Sequence, residues 1–448
     1  MMRRPEKPPR FEDLTARLKD VSKLMQIVGL RQMQPAGHYL HWDQLRRYPP
    51  PDGLTSEEWW LGVKMQRLGA SRAIQLSDSN RTPFTFCVPD LVLEKLHDID
   101  CGSGATINIP SPITNPQTRD QYLIRSLMEE AITSSQLEGA ATTREVAKEM
   151  IRAGRQPRDH DEEMIFNNFV TMQRIMELKK NPLSADMVFE IHRLVTGKTL
   201  KKPDGAGRFR KDEELVTVEG PDGEVFHTPP PASELPERLK LMCDFANKTS
   251  PNYFIHPVIR AIILHFWQAY DHPFIDGNGR TARALFYWAM LRDEYWLFEF
   301  ISISTILRKA PIKYGRSFLY TETDENDLTY FIVAQTKVIA AAIQKLHEYI
   351  DEKTSELREL ESHIRALTLF NHRQVDLLRH ALKHPYEQYL IEVHKTSHGT
   401  SYETARTDLL DLSKRGILDL QKRGKQMVFV APKDLERRIR KLGKIEYP

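Results

Sequence analysis

The chain has 448 residues, 40% of them apolar and 28% charged, enough for large cores beneath a solvated surface. Lys and Arg number 64 against 61 Asp and Glu, a net of +3, which argues against a nucleic-acid coat or an acidic tail. No apolar run approaches the roughly 20 residues of a membrane helix, and Met1–Leu14 carries basic residues with no apolar segment behind them, so neither a membrane protein nor a secretory leader is expected. Cys87, Cys101 and Cys243 are too few and too scattered for a disulfide framework or a Cys-based zinc site, and a reducing cytoplasm is the expected location.

Residues 1–110 read as a mixed opening region: an amphipathic stretch over Phe11–Val28, a proline-rich loop at Tyr48–Gly53, and a helix opened by Thr55-Ser56-Glu57-Glu58. A hydroxyl with acids close behind it is a helix-start signature. Trp59 and Trp60 on that helix are expected to anchor the region to the next domain. Gly102–Gln117, rich in Gly, Ser, Pro and Asn, reads as a linker.

Residues 111–350 are mostly helical in pattern. Gln121–Gly139 repeats apolar residues near the 3.6 period and ends at a glycine. Further helices are predicted at His160–Lys179, Ala185–Thr196, Pro236–Asn247, Pro257–Tyr270, Gly279–Arg292 and Thr329–Ile350. Two β-prone runs, Glu214–Val218 and Glu224–His227, flank Gly220-Pro221-Asp222-Gly223, a hairpin signal set into the helical domain. After a charged helix near Asp351–Ile364, residues 365–435 form a separate unit. In it, helices at Arg373–Leu382 and Tyr402–Arg415 flank a short element near Tyr389–Thr396. Gly416–Leu420 and Gln426–Val430 then bracket Lys422-Arg423-Gly424-Lys425. That order resembles a winged helix-turn-helix. The fold class is therefore mainly α, with one β-hairpin and a C-terminal winged unit.

The chemistry lies in His272-Pro273-Phe274-Ile275-Asp276-Gly277-Asn278-Gly279-Arg280-Thr281-Ala282-Arg283, a polar loop between two apolar helices. Its glycines allow positive φ and close backbone approach. Successive N–H groups feeding a helix N-terminus make an anion pocket, and Arg280 and Arg283 can both reach a polyphosphate. Asp276 is a hard oxygen ligand suited to Mg²⁺ on that polyphosphate, and His272 is the side chain to take a proton near neutral pH. Attack of a hydroxyl on a nucleotide phosphate needs these parts. The loop is not an EF-hand, which would need more acids, nor a Walker A loop, which ends in Gly-Lys-Ser/Thr. His192, His227, His256 and His265 lack metal-ligand spacing and read as packing or hydrogen-bonding groups.

This stretch matches the HPFxDGNGRxxR motif and resembles the Fic family of protein adenylyltransferases, over about residues 115–320 and more loosely at Tyr39–Asp43 and in the C-terminal unit. The resemblance implies transfer of AMP from ATP to a Ser, Thr or Tyr hydroxyl of a protein, with Mg²⁺. It implies that His272 is the base, that Asp276 holds the metal, and that Gly277, Asn278, Gly279 and Arg280 cradle the phosphates. Arg283 would pair with the γ-phosphate, Phe274 would anchor the loop, and the hairpin would be the family's flap, open to a target strand by β-augmentation. Asp271 stands where an apolar residue is expected and is a candidate for orienting the imidazole or raising its pKa.

Ser134-Ser135-Gln136-Leu137-Glu138-Gly139 resembles the family's (S/T)xxxE(G/N) inhibitory helix. Ser134 and Glu138, four apart, share a helix face, and a bidentate Glu138–Arg283 pair would remove the γ-phosphate's partner. Relatives also use this Glu to remove AMP, so a hydrolytic role is open as well. Residues 421–448 hold nine basic and three acidic residues. With Tyr402, Thr404, Arg406 and Thr407 on the preceding helix, they make DNA a candidate partner through residues 365–435, although winged helices also bind proteins. Homodimers are common in such proteins. Two readings compete with AMP transfer: a DNA- or protein-binding regulator with a vestigial loop, and transfer of another phosphate-containing group.

Overall fold

The computed structural model describes residues 3–104, 116–220, 223–366, 369–384, 387–423 and 426–442. Most of the expected linker, the Pro221-Asp222 turn, Gly424-Lys425 and the last basic residue, Lys444, lie outside them. The chain divides into two units, residues 1–105 with 125–344, and residues 106–124 with 345–448. The opening region thus belongs with the helical domain.

In the first unit the opening region comprises helices α1 (Phe11–Arg17), α2 (Val21–Gly29), α3 (Trp42–Leu45) and α4 (Ser56–Ala70), the hairpin β1 (Arg72–Ser77) and β2 (Pro83–Phe86), and α5 (Asp90–Gly104). The predicted start of α4 holds: Thr55 Oγ1 accepts from the Glu58 N–H, and Glu58 accepts from the Thr55 N–H. Trp59 and Trp60 pack with Leu14, Ile27, Trp42 and Leu45, so they close the region's own core. Polar groups farther along α4 make the anchor. The Lys64 ammonium meets Asp324 at 2.8 Å, and Arg67 donates to the Tyr330 hydroxyl at 2.8 Å while lying over the Tyr39 ring. The unpredicted β-hairpin turns on Asp78, whose carboxylate accepts from the N–H groups of Asn80 and Thr82, an Asx turn.

The next helices are α6 (Pro116–Leu137), α7 (Arg144–Ala153), α8 (His160–Leu178), α9 (Ala185–Thr196), α10 (Leu235–Ala246), α11 (Pro257–Asp271), α12 (Asn278–Arg292), α13 (Ser304–Leu307), α14 (Pro311–Thr323) and α15 (Thr329–Ala366). At the centre, α11 and α12 pack against each other around the loop, both almost wholly buried, with Arg260, His265, Arg280 and Arg283 taken inside along with the apolar side chains. Two expectations change. The helix from Thr329 does not stop at Ile350 but runs 38 residues, because no Gly or Pro interrupts it. The internal hairpin is also shorter, with β3 (Val218–Glu219) paired antiparallel to β4 (Val225–His227). Glu214 stays outside it because both its oxygens accept from Arg208 at 2.9 Å.

In the second unit α16 (His372–Lys383), β5 (Gln388–Leu390), α17 (Ile391–His398), α18 (Tyr402–Lys414), β6 (Asp419–Arg423), β7 (Gln426–Val430) and α19 (Leu435–Leu442) come in order, with a sheet in the order β5-β7-β6. Leu378, Leu409, Leu412, Ile417 and Phe429 form its core. The strand expected at Gly416–Leu420 begins instead at Asp419, after Ile417 and Leu418 enter that core.

Among the described residues no helix is long and apolar enough to cross a membrane. Because Lys64 and Asp324 are both buried, Lys64→Met should leave the carboxylate without its counter-charge and lower stability by about 3–5 kcal/mol, read from urea unfolding.

Candidate functional site

The site starts where α11 ends. His272 caps that helix in the left-handed region, φ +44° and ψ 55°, a conformation that costs a non-glycine residue free energy and is kept where the surroundings enforce it. Its N–H donates to the Gln268 carbonyl, and Nδ1 lies 3.1 Å from the Ala269 carbonyl. A carbonyl only accepts, so Nδ1 carries the proton and Nε2 is left with its lone pair. Burial lowers the pKa of His272 to about 4, against the opposing pull of the Ala269 carbonyl. The imidazole is therefore neutral and able to accept a proton at pH 7.

The loop after it is fixed from three sides. Phe274, fully buried, stacks on the His192 ring with centroids 3.7 Å apart and planes 9° apart. The Asn278 side chain accepts from the Phe274 N–H at 3.0 Å and donates to the Phe274 carbonyl at 2.8 Å. His192 holds Asp276 by Nε2 to its carbonyl at 2.9 Å and accepts from the Gly207 N–H on Nδ1. Arg210 binds the carbonyls of His272 and Pro230, and its N–H reaches the Pro273 carbonyl. Gly277 has φ +79°, and a Cβ there would lie 2.5 Å from Thr196 Cγ2, so this turn admits no side chain.

The loop feeds the N-terminus of α12, which favours anions. Arg280, almost fully buried, donates to the Val195 carbonyl at 3.0 Å, and its Nε has no partner among the described residues. Arg283, equally buried, donates through Nε to Ser134 Oγ at 2.8 Å and through Nη2 to the Ser134 carbonyl at 3.1 Å and to Glu138 Oε1 at 2.7 Å. The Glu138 carboxylate hangs over the helix end, and a Cβ on Gly279 would sit 2.1 Å from Oε1. Burial pushes the Glu138 carboxyl up, but the Arg283 guanidinium outweighs it and holds the pKa below its ordinary value.

Two expectations are corrected, and the part Asn278 can play is narrowed to its backbone. The Glu138–Arg283 pair is single rather than bidentate: only Nη2 meets the carboxylate, and Nε is turned to the Ser134 hydroxyl. Asp271 does not touch the imidazole: its oxygens accept from Arg238 Nε at 2.8 Å and Trp267 Nε1 at 3.0 Å, tying the end of α11 to α10. The Asn278 side chain serves the loop, which leaves only its backbone to face an anion. Sequence reasoning left His192, Arg210 and His227 without a place in the site. His227, on β4, has Nε2 2.7 Å from the Tyr270 carbonyl and Nδ1 2.7 Å from Glu322, which clips the hairpin to α11 beside His272. No local pattern marks these residues, since each makes one of its contacts across more than 40 positions.

Asp276 projects outward, its side chain 58% exposed, with Oδ1 accepting from the Gly277 N–H. Among the described residues no group of three or more His, Cys, Asp or Glu is placed to hold a metal. A single exposed carboxylate beside an anion cradle still fits Mg²⁺, which takes most of its ligands from water and substrate phosphates.

Residues 182–290, from α9 through the loop into α12, match the model of the Fic/DOC family. The chain carries a Fic domain. Protein adenylyltransferase Fic of Nematostella vectensis is 35% identical over 107 residues, 24% of this chain and 22% of that protein. Protein adenylyltransferase fic-1 of Caenorhabditis elegans is 28% identical over 229 residues, 51% of this chain and 42% of that protein. The chain thus spans less than half the length of these curated relatives. A Fic family protein from Desulfovibrio desulfuricans G20 shares the fold, with a TM-score of 0.52, 18% identity, and coverage of 77% of this chain and 97% of that one.

His192→Phe should keep the stack under the Fic loop but lose both hydrogen bonds of the imidazole. An expected loss of about 1–3 kcal/mol would appear as a lower denaturation midpoint, together with faster hydrogen exchange at residues 272–278.

Proposed function

We propose that this chain is a protein adenylyltransferase that moves AMP from ATP to a Ser, Thr or Tyr hydroxyl of a protein and is held back by Glu138. One observation carries the reading. An imidazole nitrogen with a free lone pair, two buried guanidinium groups and an exposed carboxylate meet at one helix N-terminus. In the reaction the target oxygen attacks the α-phosphorus. As the new O–P bond forms, the bond from that phosphorus to the bridging oxygen breaks, pyrophosphate leaves, and the hydroxyl proton passes to His272 Nε2. The backbone at Gly277–Gly279 and the side chain of Arg280 offset phosphate charge, and Arg283 takes the γ-phosphate. Mg²⁺ on Asp276 would neutralise further phosphate charge. The short β3–β4 flap offers a strand edge to an extended target segment.

Glu138 brakes this chemistry because its carboxylate occupies Arg283, the partner the γ-phosphate needs. The same carboxylate, near the base, can position water to remove AMP from a modified target. In this reading residues 111–350 carry catalysis, residues 1–110 buttress them, and residues 365–435 form a winged-helix unit. A second reading, a winged-helix regulator with a weak Fic site, draws on that unit's separate core. On α18 Glu403 pairs with Arg406, and Asp411 pairs with Arg415. That pairing lowers the positive charge of the helix and favours a protein partner over DNA.

With α-labelled ATP, Glu138→Gly should label protein at least about 10-fold more than wild type, and His272→Ala in that background should abolish labelling. Equal labelling by all three would overturn the reading. AMP release from a labelled target by wild type, lost in Glu138→Gly, would assign the reverse reaction. The neutral imidazole also sets a pH profile. Losing Glu138 removes an influence that raises the His272 pKa, so the rate of Glu138→Gly should stay level from about pH 6 to about pH 8. An acid limb centred near about pH 6.5, the ordinary histidine value, would contradict the buried base.

A further inference from the structure

A crevice lined by none of the Fic-loop residues runs between the first described residues of the chain, α3, α14 and the early turns of α15. Its two compartments share Gln44, Arg316 and Tyr320. The larger, about 490 Å³, is walled by Tyr39, Tyr314, Tyr330, Leu307 and Val333, and its volume suits a small organic molecule. The smaller, about 260 Å³, is edged by Arg3, Arg4, Arg47 and Arg316, with Asp43 its one carboxylate.

Two independent features call for an occupant. Lys313 and Lys337 join the four arginines, so the crevice gathers six cations against one acid, and that acid already pairs with Arg47 at 3.1 Å. Five of the six are exposed and solvated, with Arg316 half-buried, and together they set up a positive field that draws an anion into the crevice. Gln335 also lines the larger compartment. It is 2% exposed, and its Nε2 has no partner among the described residues. A buried amide N–H without an acceptor is unfavourable, and an acceptor on a ligand would satisfy it.

We propose that this crevice is a second ligand site, for an anion that carries a planar ring, of the nucleoside monophosphate type. The ring lies in the tyrosine compartment with an acceptor toward Gln335 Nε2, and the phosphate lies among the guanidinium groups, whose forked donors match its oxygens. An occupant would meet groups that reach the catalytic region. Arg4 donates to the Val225 and Phe226 carbonyls of the flap at 3.2 and 3.1 Å, and the Tyr314 hydroxyl lies 2.9 Å from His265 and beside Arg283. The proposal does not depend on the adenylyltransferase reading, since the cradle takes no part in it.

The test is calorimetric titration of the full chain with AMP, and separately with adenosine and inorganic phosphate. AMP should bind wild type at one crevice site. It should bind at least about 10-fold more weakly to Arg316→Glu and to the exposed Arg47→Glu, and undiminished to Arg280→Ala, which alters the Fic cradle and touches no wall of the crevice. Arg47→Glu keeps the test decisive if Arg316→Glu fails to fold. Adenosine and phosphate should each bind more weakly than AMP, and Gln335→Leu should weaken AMP and adenosine but not phosphate. Absence of AMP binding, full binding by Arg47→Glu, or loss of binding in Arg280→Ala would overturn the proposal, the last by placing AMP in the Fic cradle. Phosphate bound as tightly as AMP would overturn the ring compartment.

Discussion

The stack of Phe274 on His192 is the contact on which the site depends. A polar loop of glycines and charged residues has no reason to hold one shape between two apolar helices. Burying one aromatic ring in its middle, face to face with an imidazole anchored on α9, turns the loop into a part of the core. Asn278 then closes the loop by bonding both backbone groups of Phe274. Once these positions are fixed, the start of α12, the outward Asp276 and the inward arginines are set by chain geometry. The left-handed turn at His272 holds its imidazole against the Ala269 carbonyl.

Electrostatics works against this arrangement. Arg280 and Arg283 stand side by side away from water at the positive end of a helix, so each raises the cost of the other. The chain answers with oxygen atoms from three directions: the Val195 carbonyl, the Ser134 hydroxyl and carbonyl, and the Glu138 carboxylate. Two carboxylates carry charge here: Asp276 of the loop itself, 3.8 Å from Arg280, and Glu138, which comes from outside the loop. The anion site is thus stable as folded because it already holds an anion of its own.

Much of this was legible in the sequence because it is local. The loop's residue types and spacing, the helices on either side of it, and the Ser134–Glu138 pair on one helix face are all short-range patterns, and the capping residues of α4 marked its start. Contacts between distant segments left no such mark. His192, Arg210 and His227 act by filling hydrogen bonds that appear only after packing. Asp271 shows the same limit from the other side. Its place next to His272 suggested a partner for the imidazole, yet the end of a helix can turn adjacent side chains to opposite sides, and its carboxylate went to Arg238 and Trp267. The Trp59–Trp60 pair failed as an anchor for a similar reason: a large apolar ring stays in the nearest core, and the cross-chain ties went to Lys64 and Arg67.

The missing side chain at Gly279 has a genetic consequence. Because a methyl group there would overlap the Glu138 carboxylate, the two positions are coupled, and the effect of changing one depends on the state of the other. Alanine at 279 in a chain that keeps the acid must displace it from Arg283. In a chain that has already lost the acid, the severe overlap is gone and the nearest of the remaining contacts is Arg283 Nη1 at 3.2 Å. Mutational paths through this pair therefore depend on the order in which its two positions change.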